Sequence, residues 1–339
     1  MNSRHLLRTA SCNRMKNRTY IYHILAVIVV SVWGTTFVST KVLLAAGLSP
    51  AVIFAIRFAL AYVGIWFFPE RGGRRRRNDA SSAENTSSAR PMPPAECRKR
   101  RIMARSWRDE LLFAALGVTG GSLYFIAENE ALVYSQASNV AFIVCSTPAI
   151  TMLMMHFMRG GERLTLRTAA GSLLSLAGVA VVVFNGCTVL RLNPAGDMLA
   201  LGAALLWALY TLILRRLDDT YSVTMITRKT FFYGLVTLLP LFAVRPPEID
   251  TEVLLRPAVV LNLLFLGVAA SLLCYAAWSL IVKKIGSTRT TNYLYINPVV
   301  ATVTSAALLG ERFTLLAAAG AAMILVGIWM VEARRPVNN

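Results

Sequence analysis

The sequence predicts an all-α polytopic membrane protein, with ten transmembrane helices arranged as two inverted five-helix repeats. Three observations carry that expectation. Of the 339 residues, 56% are hydrophobic and only 15% charged; a soluble domain carries about 25% charged residues, so there is too little polar surface here to coat a water-facing globule. The apolar residues come in blocks near the roughly 20 residues that a helix needs to cross a bilayer core. One segment is also written twice. ERLTLRTAAGSLLSLAG at 162–178 and ERFTLLAAAGAAMILVG at 311–327 agree at nine of seventeen positions, at a constant offset of 149.

The elements follow in order. Residues 1–20 form a cytoplasmic N-terminus whose Arg14, Lys16 and Arg18 anchor the first span, 21–43. That run is longer than the apolar region of a signal peptide and no A-x-A-like site follows it, so it reads as a retained span. Spans 50–68, 110–134, 138–158 and 165–185 complete the first unit, 21–185. Within it, 69–109 is Arg-, Ser- and Pro-rich without hydrophobic periodicity. It cannot bury a core and reads as a disordered basic cytoplasmic loop drawn to anionic headgroups, with a nucleic-acid or regulatory role for 71–101 as the lesser alternative. The second unit, 197–332, holds spans 197–214, 222–244, 259–282, 288–309 and 315–332, and 333–339 is a cytoplasmic tail.

The net charge of +18 would suggest nucleic acid in a soluble protein. In a chain of spans it sets orientation, because basic residues collect in cytoplasmic loops. With both termini inside, 27 of the 35 Lys and Arg fall in inside segments and five outside; without the 12 of the 69–109 loop the ratio is still 15 to 5. The five cysteines have no metal-ligand spacing and read as small apolar fillers.

The duplication extends beyond the quoted segments. Pro148 pairs with Pro298, Gly121-Ser122-Leu123 with Ala270-Ser271-Leu272, and Trp33 with Trp207, the 69–109 loop taking up the longer offset. Five spans per unit is an odd number, so the second unit enters the membrane from the opposite face. Equivalent helices then run antiparallel about a pseudo-two-fold axis in the membrane plane, the plan of secondary transporters.

The stretches VWGTTFVSTKVL and SPAVIFAIRF resemble the EamA-type transporters of the drug/metabolite transporter superfamily. So do ALVYSQASNVAFIVCSTPAITMLM with GERLTLRTAAGSLLSLAGVAVVVF, and GSTRTTNYLYINPVVATVTSAALLGERFTLLAAAGAAMILVGI in the second half. The resemblance spans 21–332 and implies a ten-helix bundle around a central cavity. It further implies transport of small organic solutes, often amino acids or related metabolites, often outward, in a bacterial inner membrane. The long basic loop and two acidic residues in the third span depart from the usual pattern.

Ionisable residues at span depth are costly, so they mark candidate sites. Glu128 and Glu130 lie two apart and point away from each other on a helix. Glu128 continues the stripe Gly117, Gly121, Tyr124 and is the favoured one, as a proton acceptor, as a ligand for a substrate ammonium, or as half of a structural ion pair. Its candidate partner is Arg57, at similar depth. Arg228 and Lys229 occupy the mirrored region of the seventh span. The position equivalent to Glu128 is Ala277, so neither has an acidic counterpart there. At least one of the two is expected to face lipid and snorkel, while the other attracts a substrate anion.

Pro148 and Pro298 predict kinked helices lining the cavity, with the freed backbone groups facing it. Asn139, Asn292, Tyr295 and Asn297 sit near them, to read a polar solute or to bond helices together. Trp33, Trp207, Tyr275 and Trp278 form cavity walls or an interfacial belt. Gly171, Gly178, Gly320 and Gly327 form a small-residue seam for close helix contact or a homodimer interface.

Motifs of enzyme chemistry and of phosphate or dinucleotide binding are absent from the sequence, and its three histidines suggest no metal cluster. No enzyme activity and no cofactor are expected, and the expected partners are a small-molecule substrate and membrane lipids, not nucleic acid. The sequence therefore reads as a multi-pass secondary transporter of the bacterial inner membrane, with both termini cytoplasmic. It would export small organic metabolites, amino acids or related compounds, by alternating access. The rivals are an anion carrier for phosphorylated or nucleotide-linked sugars, using Arg57, Arg228 and Lys229, and a non-transporting scaffold docking through 71–101.

Overall fold

The structure is a computed structural model that describes residues 3–69, 103–134, 137–158, 165–184, 193–218, 220–244, 246–247, 250–309 and 314–332. Most of the basic loop, Glu162, Glu311 and the tail 333–339 lie outside the described residues, as does the side chain of Asn139. Among the described residues all regular structure is helical.

Helix α1 (Ser3–Ala45) begins well before the predicted span, and α2 is Pro50–Ile65. The third apolar block is α3 (Trp107–Gly117), a π-helical segment (Val118–Ser122) and α4 (Leu123–Tyr134). The fourth is α5 (Ala137–Val144) and α6 (Thr147–Phe157), followed by α7 (Leu166–Val183). The second half opens with α8 (Pro194–Asp218), α9 (Val223–Val236) and α10 (Leu239–Val244). After the short α11 (Thr251–Leu254) come α12 (Pro257–Leu264), a second π segment (Phe265–Leu273) and α13 (Cys274–Ile285). Helix α14 (Ser287–Asn292), a 3-10 turn (Tyr293–Ile296), α15 (Asn297–Leu309) and α16 (Leu315–Glu332) end the fold. Five continuous helical stretches are long and apolar enough to cross a membrane: 107–131, 166–183, 194–218, 257–285 and 315–332.

The helix starts follow from local chemistry. Ser49 and Ser222 each cap a helix, accepting from Val52 N at 3.4 Å and Met225 N at 3.2 Å, which satisfies an orphan donor of the first turn. Thr165 caps α7 and Thr314 caps α16 in the same way, through Thr168 N and Ala317 N. The duplicated segment thus carries a duplicated cap.

One expectation about helix shape is corrected, at Pro148. Pro148 does not kink a continuous helix: the chain breaks after α5, and the proline sits in the first turn of α6, where its missing N–H costs nothing. Thr147 Oγ1 donates to the Val144 carbonyl at 2.7 Å across the break. Pro298, by contrast, follows a 3-10 turn inside a helical run that is unbroken from Ser287 to Leu309, a distorted helix as expected of it. The glycine seam also closes within the chain. Gly171 meets the Gly327 backbone and Gly178 the Gly320 backbone, the close helix contact that the small-residue spacing predicts.

Packing partners exchange between the halves. Helix α1 packs on α13 and α15, as α8 packs on α4 and on α5 and α6; α2 packs on the second π segment, as α9 packs on α3 and the first. A large aromatic-rich core fills the centre, and an apolar cluster of Leu43, Leu48, Val52, Ile53, Val259, Leu263, Leu266 and Ala270 closes one end of the bundle.

Candidate substrate site

The centre of the bundle is an aromatic cluster drawn from both halves. Trp33 of α1 meets Trp207 of α8 edge-on at 5.5 Å between ring centroids, Trp278 of α13 at 5.0 Å and Tyr275 at 6.0 Å. Trp207 and Trp278 are themselves 6.3 Å apart. These four residues therefore form an inner cluster, not an interfacial belt. Edge-on contacts let the positive ring edge meet the negative face. The polar tips serve the π segments: Trp33 Nε1 donates to the Ala270 carbonyl at 2.9 Å, and Tyr275 OH donates to the Gly120 carbonyl at 2.7 Å. Each disrupted backbone turn is capped by a side chain from the other half. The indole nitrogens of Trp207 and Trp278 are buried with no protein partner.

Two charges border the cluster. Glu128 of α4 accepts a hydrogen bond from Tyr124 OH, one turn earlier, at 2.9 Å. The Tyr124 ring lies 5.1 Å from Trp207. Arg57 of α2 is 7% exposed. Its Nε donates to Ser271 Oγ at 2.9 Å, and its guanidinium lies 4.9 Å from the Phe125 ring centroid. Phe125 packs on Tyr124 at 5.1 Å and so links Arg57 to Glu128, but among the described residues no contact ion pair joins the two. Tyr124, Phe125 and Ser271 complete the site. The Gly117–Gly121–Tyr124 stripe pointed to the first and the repeat match with Ser122 marked Ser271 without a role, while Phe125 carried no signal in the sequence.

The other predicted residues lie elsewhere. Tyr295 is fully buried and its hydroxyl bonds Ser172 of α7 at 2.7 Å; Asn292 donates its amide to the Thr288 carbonyl of its own helix at 2.9 Å. Both atoms are used in holding helices. Asn297 is half-buried beside Pro298, and among the described residues its buried Oδ1 has no partner. Arg228 and Lys229 correct the expectation of a lipid-facing cation without an acidic counterpart. Both are buried, Arg228 lies over Trp66 at 4.8 Å, and Lys229 pairs with Glu110 in the first turn of α3. The acid comes from a packed neighbour instead of the repeat-equivalent position. Tyr233 OH and Ala104 N also donate to Glu110. Close by, Tyr221 in the connection between α8 and α9 donates to Asp109 at 2.6 Å and accepts from Arg105 N at 2.8 Å. Burial and the Asp109 carboxylate push its phenol up to about 12, so it keeps its proton and its role as donor.

The EamA-like transporter family profile matches this chain twice, at residues 20–184 and 194–333. The chain belongs to the EamA-like transporter family. Among its relatives, a "Probable amino-acid metabolite efflux pump" of Escherichia coli (strain K12) is 24% identical over 314 residues, 91% of this chain and 93% of that protein. A "Probable terminal-alkyne amino-acid exporter" of Streptantibioticus cattleyicolor is 27% identical over 227 residues, 67% of this chain and 74% of that protein. An "Uncharacterized transporter" of Archaeoglobus fulgidus is 26% identical over 239 residues, 70% of this chain and 81% of that protein. A solved crystal structure shares the fold, with a TM-score of 0.69 and 17% identity over 93% of this chain and 96% of its own. As an EamA-like transporter, the chain is a membrane protein whose relatives carry small molecules.

Proposed function

We propose that this EamA-like protein exports amino acids or related small metabolites across the bacterial inner membrane, by alternating access between two inverted five-helix repeats. The observation that carries the reading is the exchange of packing partners between the halves, centred on the contact of Trp33 with its repeat equivalent Trp207. Equivalent residues touch each other only near a two-fold axis. Two halves that pack by exchanged pairs can trade conformations around a site on that axis, which is the geometry alternating access uses. The site on this axis holds a cation, an anion and aromatic faces, and the names of two relatives supply the solute class.

The anion-carrier reading draws less support, because Lys229 is committed to Glu110 and does not converge with Arg57 on one site. The test is counterflow in proteoliposomes loaded with single amino acids or with sugar phosphates. Exchange of amino acids is the expected result. Exchange of sugar phosphates alone would replace this reading with the anion carrier, and no exchange of either would defeat both. A pH gradient imposed on the same vesicles tests whether Glu128→Gln abolishes coupling to protons.

A further inference from the structure

We infer that Arg57 and Glu128 bind the two ends of one zwitterionic substrate, the guanidinium taking a carboxylate and the Glu128 carboxylate taking an ammonium. This rests on the export reading above and names the groups that recognise its solute.

The argument begins with what each charge lacks. A guanidinium carries five N–H donors in a planar fork, and among the described residues Arg57 uses one, to the neutral Ser271 hydroxyl. The Glu128 carboxylate, with room for several donors, receives one, from Tyr124. Charges this deep in a protein are normally paired and fully hydrogen-bonded, because desolvation is otherwise uncompensated. These two are linked by a short chain of contacts, Arg57 on Phe125, Phe125 on Tyr124 and Tyr124 on Glu128, yet among the described residues they do not close a pair. The Phe125 ring helps hold them apart, lying under the guanidinium at 4.9 Å and packing on the Tyr124 ring at 5.1 Å. Arg57 is 7% exposed and Glu128 is half-buried, so each keeps some surface that a ligand can reach.

Two opposite charges held short of contact with unused hydrogen-bonding capacity suit a ligand that carries both signs. A planar fork matches a carboxylate bidentately. An ammonium beside Glu128 would also lie near the faces of Tyr124 and Trp207, which favour a cation. The second half has no such pair, because the equivalent of Glu128 is Ala277 and that of Ser122 in the first π segment is Ser271, which holds Arg57. The head-group site is therefore lopsided on an otherwise symmetric frame, which fixes the orientation of the solute.

The test uses the purified full-length protein in detergent and measures binding of the twenty amino acids, each beside its amide and its N-acetyl derivative. For the wild type, both derivatives of any amino acid that binds should bind about tenfold or more weakly, the loss expected for one charge-assisted contact. Arg57→Gln should bind the acid and the amide alike while still rejecting the N-acetyl form. Glu128→Gln should show the mirror pattern. If amino acids bind but their derivatives bind equally well, or if both variants weaken all three ligands in proportion, the assignment is wrong and the export reading stands. If no amino acid binds at all, the export reading falls and takes this assignment with it. The wild-type selectivity alone decides the matter should a variant fail to fold.

Discussion

Glu110 gathers three donors: the Lys229 ammonium, the Tyr233 hydroxyl and the Ala104 backbone N–H. The Glu110 and Lys229 side chains are only 12% and 10% exposed. Removing one partner of so enclosed a pair leaves an uncompensated charge, which costs about 3–5 kcal/mol, whereas replacing both is often close to neutral. Lys229→Met should therefore destabilise the protein by about 3–5 kcal/mol, and Glu110→Gln combined with Lys229→Gln by much less than the sum of the two single changes. A double-mutant cycle on unfolding in detergent measures this, and strict additivity would show that the contact contributes nothing. The pair was hidden in the sequence for a definite reason. Lys229 was weighed against the repeat-equivalent position of Glu128, but its partner sits at the start of α3, a helix that meets α9 only through tertiary packing. By contrast, the i, i+4 spacing of Tyr124 and Glu128 was visible, because a helix alone brings that pair together.

The α7–α16 pair shows what an element owes to missing side chains. A Cβ added at Gly171 would stand 2.7 Å from the Gly327 carbonyl oxygen, and one at Gly178 2.7 Å from that of Gly320. Both obstacles are backbone, so the helices would have to part. Ser175 Oγ also donates to the Ile324 carbonyl across the seam at 3.2 Å. Overpacking of this kind costs about 1–3 kcal/mol. Gly178→Val should lower stability by that amount, while a valine at Gly202, where nothing lies within 4 Å, should change it by less than about 0.5 kcal/mol beyond helix propensity. Thermal unfolding of the two variants in one detergent distinguishes them, and equal losses would mean that the seam is not a close contact. The repeated glycines made this seam legible, since small residues at fixed spacing allow close approach. The break at Pro148 was legible in place but not in kind. A proline signals a kink in a helix interior and a start in a first turn, and the difference lies in whether the carbonyls before it find other donors, as that of Val144 finds Thr147.

At the scale of the whole molecule, charge and packing bear on the same question of orientation. Ion pairs among the described residues include Lys229 with Glu110, Lys283 with Asp218 and Arg289 with Glu332. On a ten-span topology with the termini inside, every one of these sits near the inner ends of its helices. On that topology charge would hold the inner end, whereas the cluster of Leu43, Leu48, Val52 and Val259 would fall at the outer end and close it by burial of apolar surface. The basic loop adds to the inside charge but does not decide it, because 15 inside cations still face five outside without it. Orientation follows the bias of Lys and Arg in short loops near span ends, and long segments contribute less. A green fluorescent protein fused after Glu332 should therefore fluoresce in cells, and alkaline phosphatase fused after Asp250 should be active outside, both in the full chain and with residues 71–101 deleted. Reversal of both reporters on deletion would assign orientation to the loop, and reversal in the full chain would place the Glu110–Lys229 pair at the outer face.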